Sequence, residues 1–147
     1  MGLILLDTNV LVDHFGGIAE ATDEIAYHDN IAISAITWTE VAVKLNSVEQ
    51  AEFDALIREL PIYVLHTDDS IIREATQVRA ASFEGNVFNV PGVRKLKTPD
   101  AIILATANVT GRMLVTCNPA DFALARAGVR VPYRNTAGFI TRVAAPP

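Results

Sequence analysis

The stretch Leu3-Ile4-Leu5-Leu6-Asp7-Thr8-Asn9 decides the fold class. Four consecutive apolar residues leave no solvent-facing alternate, which is the pattern of a strand covered on both faces. Strands of that kind belong to parallel sheets. Asp7-Thr8-Asn9 then supplies polar caps for a short helix over 10–15, which Gly16-Gly17 break.

The same alternation continues outward. A second helix is expected to reach 27, Ile31-Ala32-Ile33 is the next strand, and Ser34-Ala35-Ile36 leads into a helix over 37–45. A helix over 50–60 ends at Pro61, and Ile62-Tyr63-Val64-Leu65 is a third strand. Asp68, Asp69 or Ser70 caps a helix to 82. The stretch 84–97, with two Gly and one Pro, is the longest irregular segment. Thr98-Pro99 opens an almost wholly apolar helix to 109, with Gly111 at its stop. Met113-Leu114-Val115-Thr116 is strand four, Asn118-Pro119 opens a short helix, and Val129-Arg130-Val131 is strand five. Apolar strands alternating with helices predict an α/β fold: a mainly parallel sheet of four to five strands, helices on both faces. It forms one domain over 1–143, with 144–147 as a tail.

Bulk properties agree with one globular domain: 147 residues, half of them hydrophobic and a fifth charged. No apolar run approaches the 18 or so residues of a membrane span. The chain begins without a basic leader, and a single cysteine excludes an internal disulfide, so a cytoplasmic location is expected. The net charge of −5 hides an asymmetry. Residues 1–91 carry a net −11, and residues 92–147 a net +6. Either the two halves neutralise each other in the fold or the basic half meets a polyanion. Asp100 and Asp121 are the only acids in that basic half.

Those two, with Asp7 and Glu40, fall at equivalent places. Asp7 follows strand one, Glu40 lies in the first turn after strand two, Asp100 opens its helix, and Asp121 follows strand four. In a parallel sheet these positions share the carboxyl edge, where such folds bind ligands. Each acid taken alone also reads as a helix cap; Thr37-x-x-Glu40 fits a capping box, and Asn118-x-x-Asp121 is a near relative. Gathered in one cleft they repel one another, by roughly 4 kcal/mol per pair at 4 Å and an effective dielectric near 20. A cation relieves this, and all-carboxylate ligation selects hard Mg²⁺ or Mn²⁺ over zinc. Cys117 has no His or Asn relay and reads as a small buried hydrophobe, while His14, His28 and His66 lack ligand spacing. Trp38 reads as a packing or subunit contact.

Four motifs also resemble those of a known family. Leu5-Leu6-Asp7-Thr8-Asn9-Val10-Leu11-Val12, Ile33-Ser34-Ala35-Ile36-Thr37-Trp38-Thr39-Glu40-Val41, Thr98-Pro99-Asp100-Ala101-Ile102-Ile103-Leu104-Ala105-Thr106-Ala107 and Leu114-Val115-Thr116-Cys117-Asn118-Pro119-Ala120-Asp121-Phe122 look like the PIN-domain nuclease motifs, especially those of VapC-type toxins. They stand in family order across nearly the whole chain. The resemblance implies a three-layer α/β/α sandwich and a Mg²⁺- or Mn²⁺-dependent endoribonuclease. It further implies a homodimer silenced by a VapB-like antitoxin. It gives metal-ligand roles to Asp7, Glu40 and Asp100, with Asp121 completing the site. Thr8, Asn9, Thr116 and Asn118 become supporting groups. The segment 83–97 departs from the pattern. Its Phe83, Phe88, Arg94, Lys95 and Lys97 form either part of an RNA groove or a solvated surface loop. A receiver-type signalling domain also gathers acids at a strand edge. It needs an acidic pair after strand one and a late lysine, whereas Asp7 stands alone and no lysine follows Lys97. A free-standing RNA-processing nuclease and a non-catalytic PIN-like binding module complete the alternatives.

Overall fold

In the computed structural model, which describes residues 2–87, 91 and 94–144, the opening apolar run becomes the middle of a sheet. The elements run β1 (Ile4–Leu6), α1 (Thr8–Phe15), α2 (Ala19–Tyr27), β2 (Ile31–Ser34), α3 (Ala35–Ala42), α4 (Ser47–Glu59) and β3 (Ile62–Leu65). They continue with α5 (Asp69–Val87), α6 (Thr98–Thr110), β4 (Met113–Val115), a 3-10 turn (Pro119–Asp121), β5 (Val129–Arg130), β6 (Tyr133–Thr136) and β7 (Phe139–Arg142). The first five strands form one parallel sheet in the order β3-β2-β1-β4-β5.

Strand alternation sorts the core into two halves. Ile4 and Leu6 point to one face with Ile31 and Ile33, where they pack with Val10 and Leu11 of α1, Ile25 of α2 and Phe53 of α4. Leu5, Ala32 and Leu114 point to the other, against Ile71, Ala75 and Val78 of α5 and Ile103 and Leu104 of α6. The result is the expected three-layer α/β/α sandwich. Chain order reverses between β1 and β4, and the crevice at that switch point lies just beyond Leu6 and Val115. None of the described helices is long and apolar enough to cross a membrane.

Several local expectations are corrected. Helix α3 begins at Ala35, not 37, because Ser34 at the end of β2 is itself the cap: its Oγ accepts from the Ile36 amide at 3.2 Å. Thr37 is buried inside the helix, and Glu40 lies past the first turn, so no capping box joins them. The capping box in this region belongs to α4, between Asn46 and Glu49. Asn118 makes no side-chain cap either. Helix α5 extends to Val87, so the first part of the expected irregular segment is helical. Gly111 ends α6 at φ 67°, as a left-handed stop demands.

The antiparallel hairpin β6–β7 was not expected at all. It pairs Thr136 with Phe139 around Ala137 (φ 52°) and Gly138 (φ 86°), a two-residue turn with both φ positive.

Candidate active site

Asp7 caps α1 from the end of β1, and both its oxygens are engaged. Oδ1 accepts from the Thr8 amide and Oδ2 from the Thr116 hydroxyl, each at 2.8 Å. Thr116 is held in turn from the β4 side: its Oγ1 accepts from the Asn118 amide (3.0 Å) and from Asn9 Nδ2 (3.3 Å). Thr8 donates its hydroxyl to Glu40 Oε1 at 2.8 Å and stands 3.3 Å from Thr37 Oγ1. Thr116 after β4 and Thr8 after β1 thus fix two carboxylates, Asp7 at the end of β1 and Glu40 in α3.

Asp7, Glu40, Asp100 and Asp121 line one cavity of about 230 Å³, together with Thr8, Asn9 and Asn118. Four separate segments of the chain meet there, at the switch-point crevice. Sequence reasoning missed two further charged lining residues, Asp13 and Lys44. The available signal was spacing: Asn9 and Asp13 stand four apart on α1, and Lys44 follows Glu40 by four, so each pair shares a face.

Electrostatics reflect the crowding. Burial pushes the Asp7 carboxyl up to about 6; the Thr116 and Thr8 hydrogen bonds oppose the rise, and Asp100 and Glu40 add to it. Asp100 is also raised, first by burial and then by Asp121 and Glu40, with Lys97 pulling it back. Acids that disfavour each other's ionisation, offering only oxygen donors, fit a hard divalent cation in kind. The side chains surround the cavity without closing into a shell: among the described residues no group of three His, Cys, Asp or Glu is arranged to hold a metal ion.

The basic residues of 94–97 divide. Arg94 Nε stands 4.0 Å from Asp121 Oδ1 in an exposed pair, and Lys97 directly precedes α6 and Asp100. Lys95 lies 4.7 Å over the Phe83 ring, which Arg79 also approaches at 4.6 Å, so that ring carries two cations. Phe88 lies outside the described residues.

Fold and cavity together define a class: a parallel α/β protein with a carboxylate cluster at the carboxyl edge of its sheet. The chain belongs to the PIN domain family, whose profile matches residues 4–127. Among solved structures, it is similar to a toxin–antitoxin complex from Klebsiella pneumoniae (33% identity, TM-score 0.68, covering 86% of this chain and 96% of that one). A DNA-bound VapBC from Salmonella typhimurium shares the fold at 21% identity and TM-score 0.64, covering 89% and 97%. So does VapBC-5 from Mycobacterium tuberculosis, at 20% and 0.62, covering 89% and 100%. Among curated proteins no sequence match is found.

Proposed function

We propose that this protein is a divalent-metal-dependent endoribonuclease acting on single-stranded RNA, and the toxin of a toxin–antitoxin pair. The observation that carries the catalytic reading is the convergence of four carboxylates from four chain segments on one cavity. The toxin reading is supported by the 33% identical relative, itself a toxin–antitoxin complex. Asp7, Glu40 and Asp100 are the residues that would hold Mg²⁺ or Mn²⁺, with Asp121 completing the site. When bound, such an ion supplies Lewis acidity and neutralises phosphodiester charge. The chain's own groups prepare for it. Thr116 and the Thr8 amide fix the Asp7 rotamer, Thr8 holds Glu40, and Asn9 and Asn118 hold Thr116. Lys44, exposed and lining the same cavity, would meet a phosphate that the acids would otherwise repel.

The test is cleavage of a labelled single-stranded RNA with Mg²⁺, Mn²⁺ or EDTA. Cleavage should require the metal and be lost in Asp100→Asn, with circular dichroism unchanged. An Asp100→Asn protein that cleaves at the wild-type rate would overturn the reading. Co-expression with a short DNA-binding protein encoded next to it should yield an inactive complex. Sedimentation of the free protein should show the homodimer that the resemblance implies.

A further inference from the structure

We propose that the hairpin β6–β7 walls a second subsite, adjoining the acid cavity, that takes the nucleotide next to the scissile phosphate of the RNA strand. This rests on the ribonuclease reading above. A cavity of about 620 Å³ lies between that hairpin and the carboxyl edge of the sheet. Asn9, Asp13 and Asn118 border both this cavity and the acid cavity, so a strand leaving one enters the other. Its size falls within the roughly 300–1,000 Å³ of small-molecule sites.

The lining is suited to a nucleotide. The Asn118 amide and the Thr136 hydroxyl present donors and acceptors of the kind that read base edges and ribose hydroxyls, while Asn135, bonded to Asp13 and to the Gly138 amide at 3.3 Å, shapes the wall. Arg134 offers a guanidinium, which matches a phosphate, and its side chain has no hydrogen-bond or ion-pair partner among the described residues. Asp13, itself in the lining, ties the hairpin to α1. Asp13 Oδ2 accepts from the Tyr133 hydroxyl at 2.7 Å and Oδ1 from Asn135 Nδ2 at 3.0 Å, and Tyr133 is fully buried. The hairpin also lies beyond residue 127, where the family match ends.

The experiment pairs kinetics with spectroscopy on the full chain. Exposed Arg134→Ala should raise KM about tenfold on a single-stranded RNA of about twelve nucleotides, the loss expected of one charge-assisted phosphate contact, with kcat within about twofold. Titrating the metal-loaded protein (Mg²⁺) with each of the four nucleoside monophosphates should shift the side-chain amide signal of Asn118 directly and that of Asn135 as a neighbouring lining residue. The Arg134→Ala variant should weaken that titration. Wild-type cleavage with unchanged KM in Arg134→Ala and unmoved amide signals would overturn the subsite while leaving the ribonuclease reading intact. Absence of any metal-dependent cleavage that Asp100→Asn abolishes would overturn both.

Discussion

Replacing Asp7 by Asn is expected to stabilise the metal-free protein at neutral pH while destroying its activity. The carboxyl is 7% exposed, and its pKa sits at about 6 against an ordinary 3.8. That difference corresponds to roughly 3 kcal/mol of destabilisation at neutral pH, where the group is charged in both folded and unfolded chains. Between about pH 4 and 6 the folded state holds a proton that the unfolded state has lost, so stability falls and this penalty grows as pH rises, then levels off above about pH 6. Asn keeps the Thr8 amide bond through Oδ1 and turns Nδ2 toward Thr116 Oγ1, displacing the longer bond from Asn9 (3.3 Å), while the hydroxyl donates to the Asn118 carbonyl 3.3 Å away. Allowing about 1 kcal/mol for that rearrangement leaves a gain of about 2 kcal/mol, or a Tm higher by about 4–8 °C. Thermal unfolding in EDTA at pH 7.5 and pH 4 measures it: the gain should be present at the first and near zero at the second. His14, held low by burial, slopes the other way through the same window, so the difference between the two proteins is the diagnostic quantity. Millimolar Mg²⁺ should raise the wild-type Tm more than the variant's. A variant less stable at pH 7.5, or a difference equal at both pH values, would refute the reasoning.

Glu24→Gln should destabilise by about 3–5 kcal/mol in urea unfolding, because it removes the charge of a fully buried carboxylate that the Arg130 guanidinium contacts at 2.8 and 3.1 Å and His28 at 3.4 Å. Ala137→Asn should raise stability by about 0.5–1 kcal/mol, since Asn tolerates the left-handed φ of 52° better than Ala does. Lys44→Ala should raise KM for RNA several-fold and flatten its salt dependence, leaving Tm within a degree.

The fold was legible because its strands are short, apolar and separated by clear breakers. Leu3–Leu6 has no polar alternate, and Gly16-Gly17, Pro61 and Gly111 mark stops. The acid quartet was legible because a parallel sheet fixes where strand ends and helix starts go. Local competition was less visible: Ser34 and Thr37 are both good caps, and only the end of β2 decides for Ser34. The hairpin escaped notice because Arg134-Asn135-Thr136 and Phe139–Arg142 show no clean apolar alternation, and Ala-Gly is a weak turn signal beside Asn-Gly. Asp13 was only half legible: its spacing from Asn9 puts it on the same helix face, but its bond to the hairpin does not show in the sequence. Its role depends on Tyr133, 120 residues away, and no local pattern encodes that pairing.

The central position of β1 has a consequence for synthesis. Strand β1 is made before β4, which it needs as its neighbour, and the Thr116 hydroxyl that orients Asp7 lies 109 residues downstream. At roughly 5–20 residues per second, translation separates the two by about 5–20 s. Asp100 and Asp121 also arrive late, so the nascent chain carries its first acids through most of elongation without the rest of the cleft. For the proposed activity, a ribosome making this protein would not meet an assembled nuclease until the segment carrying Asp121 has been made.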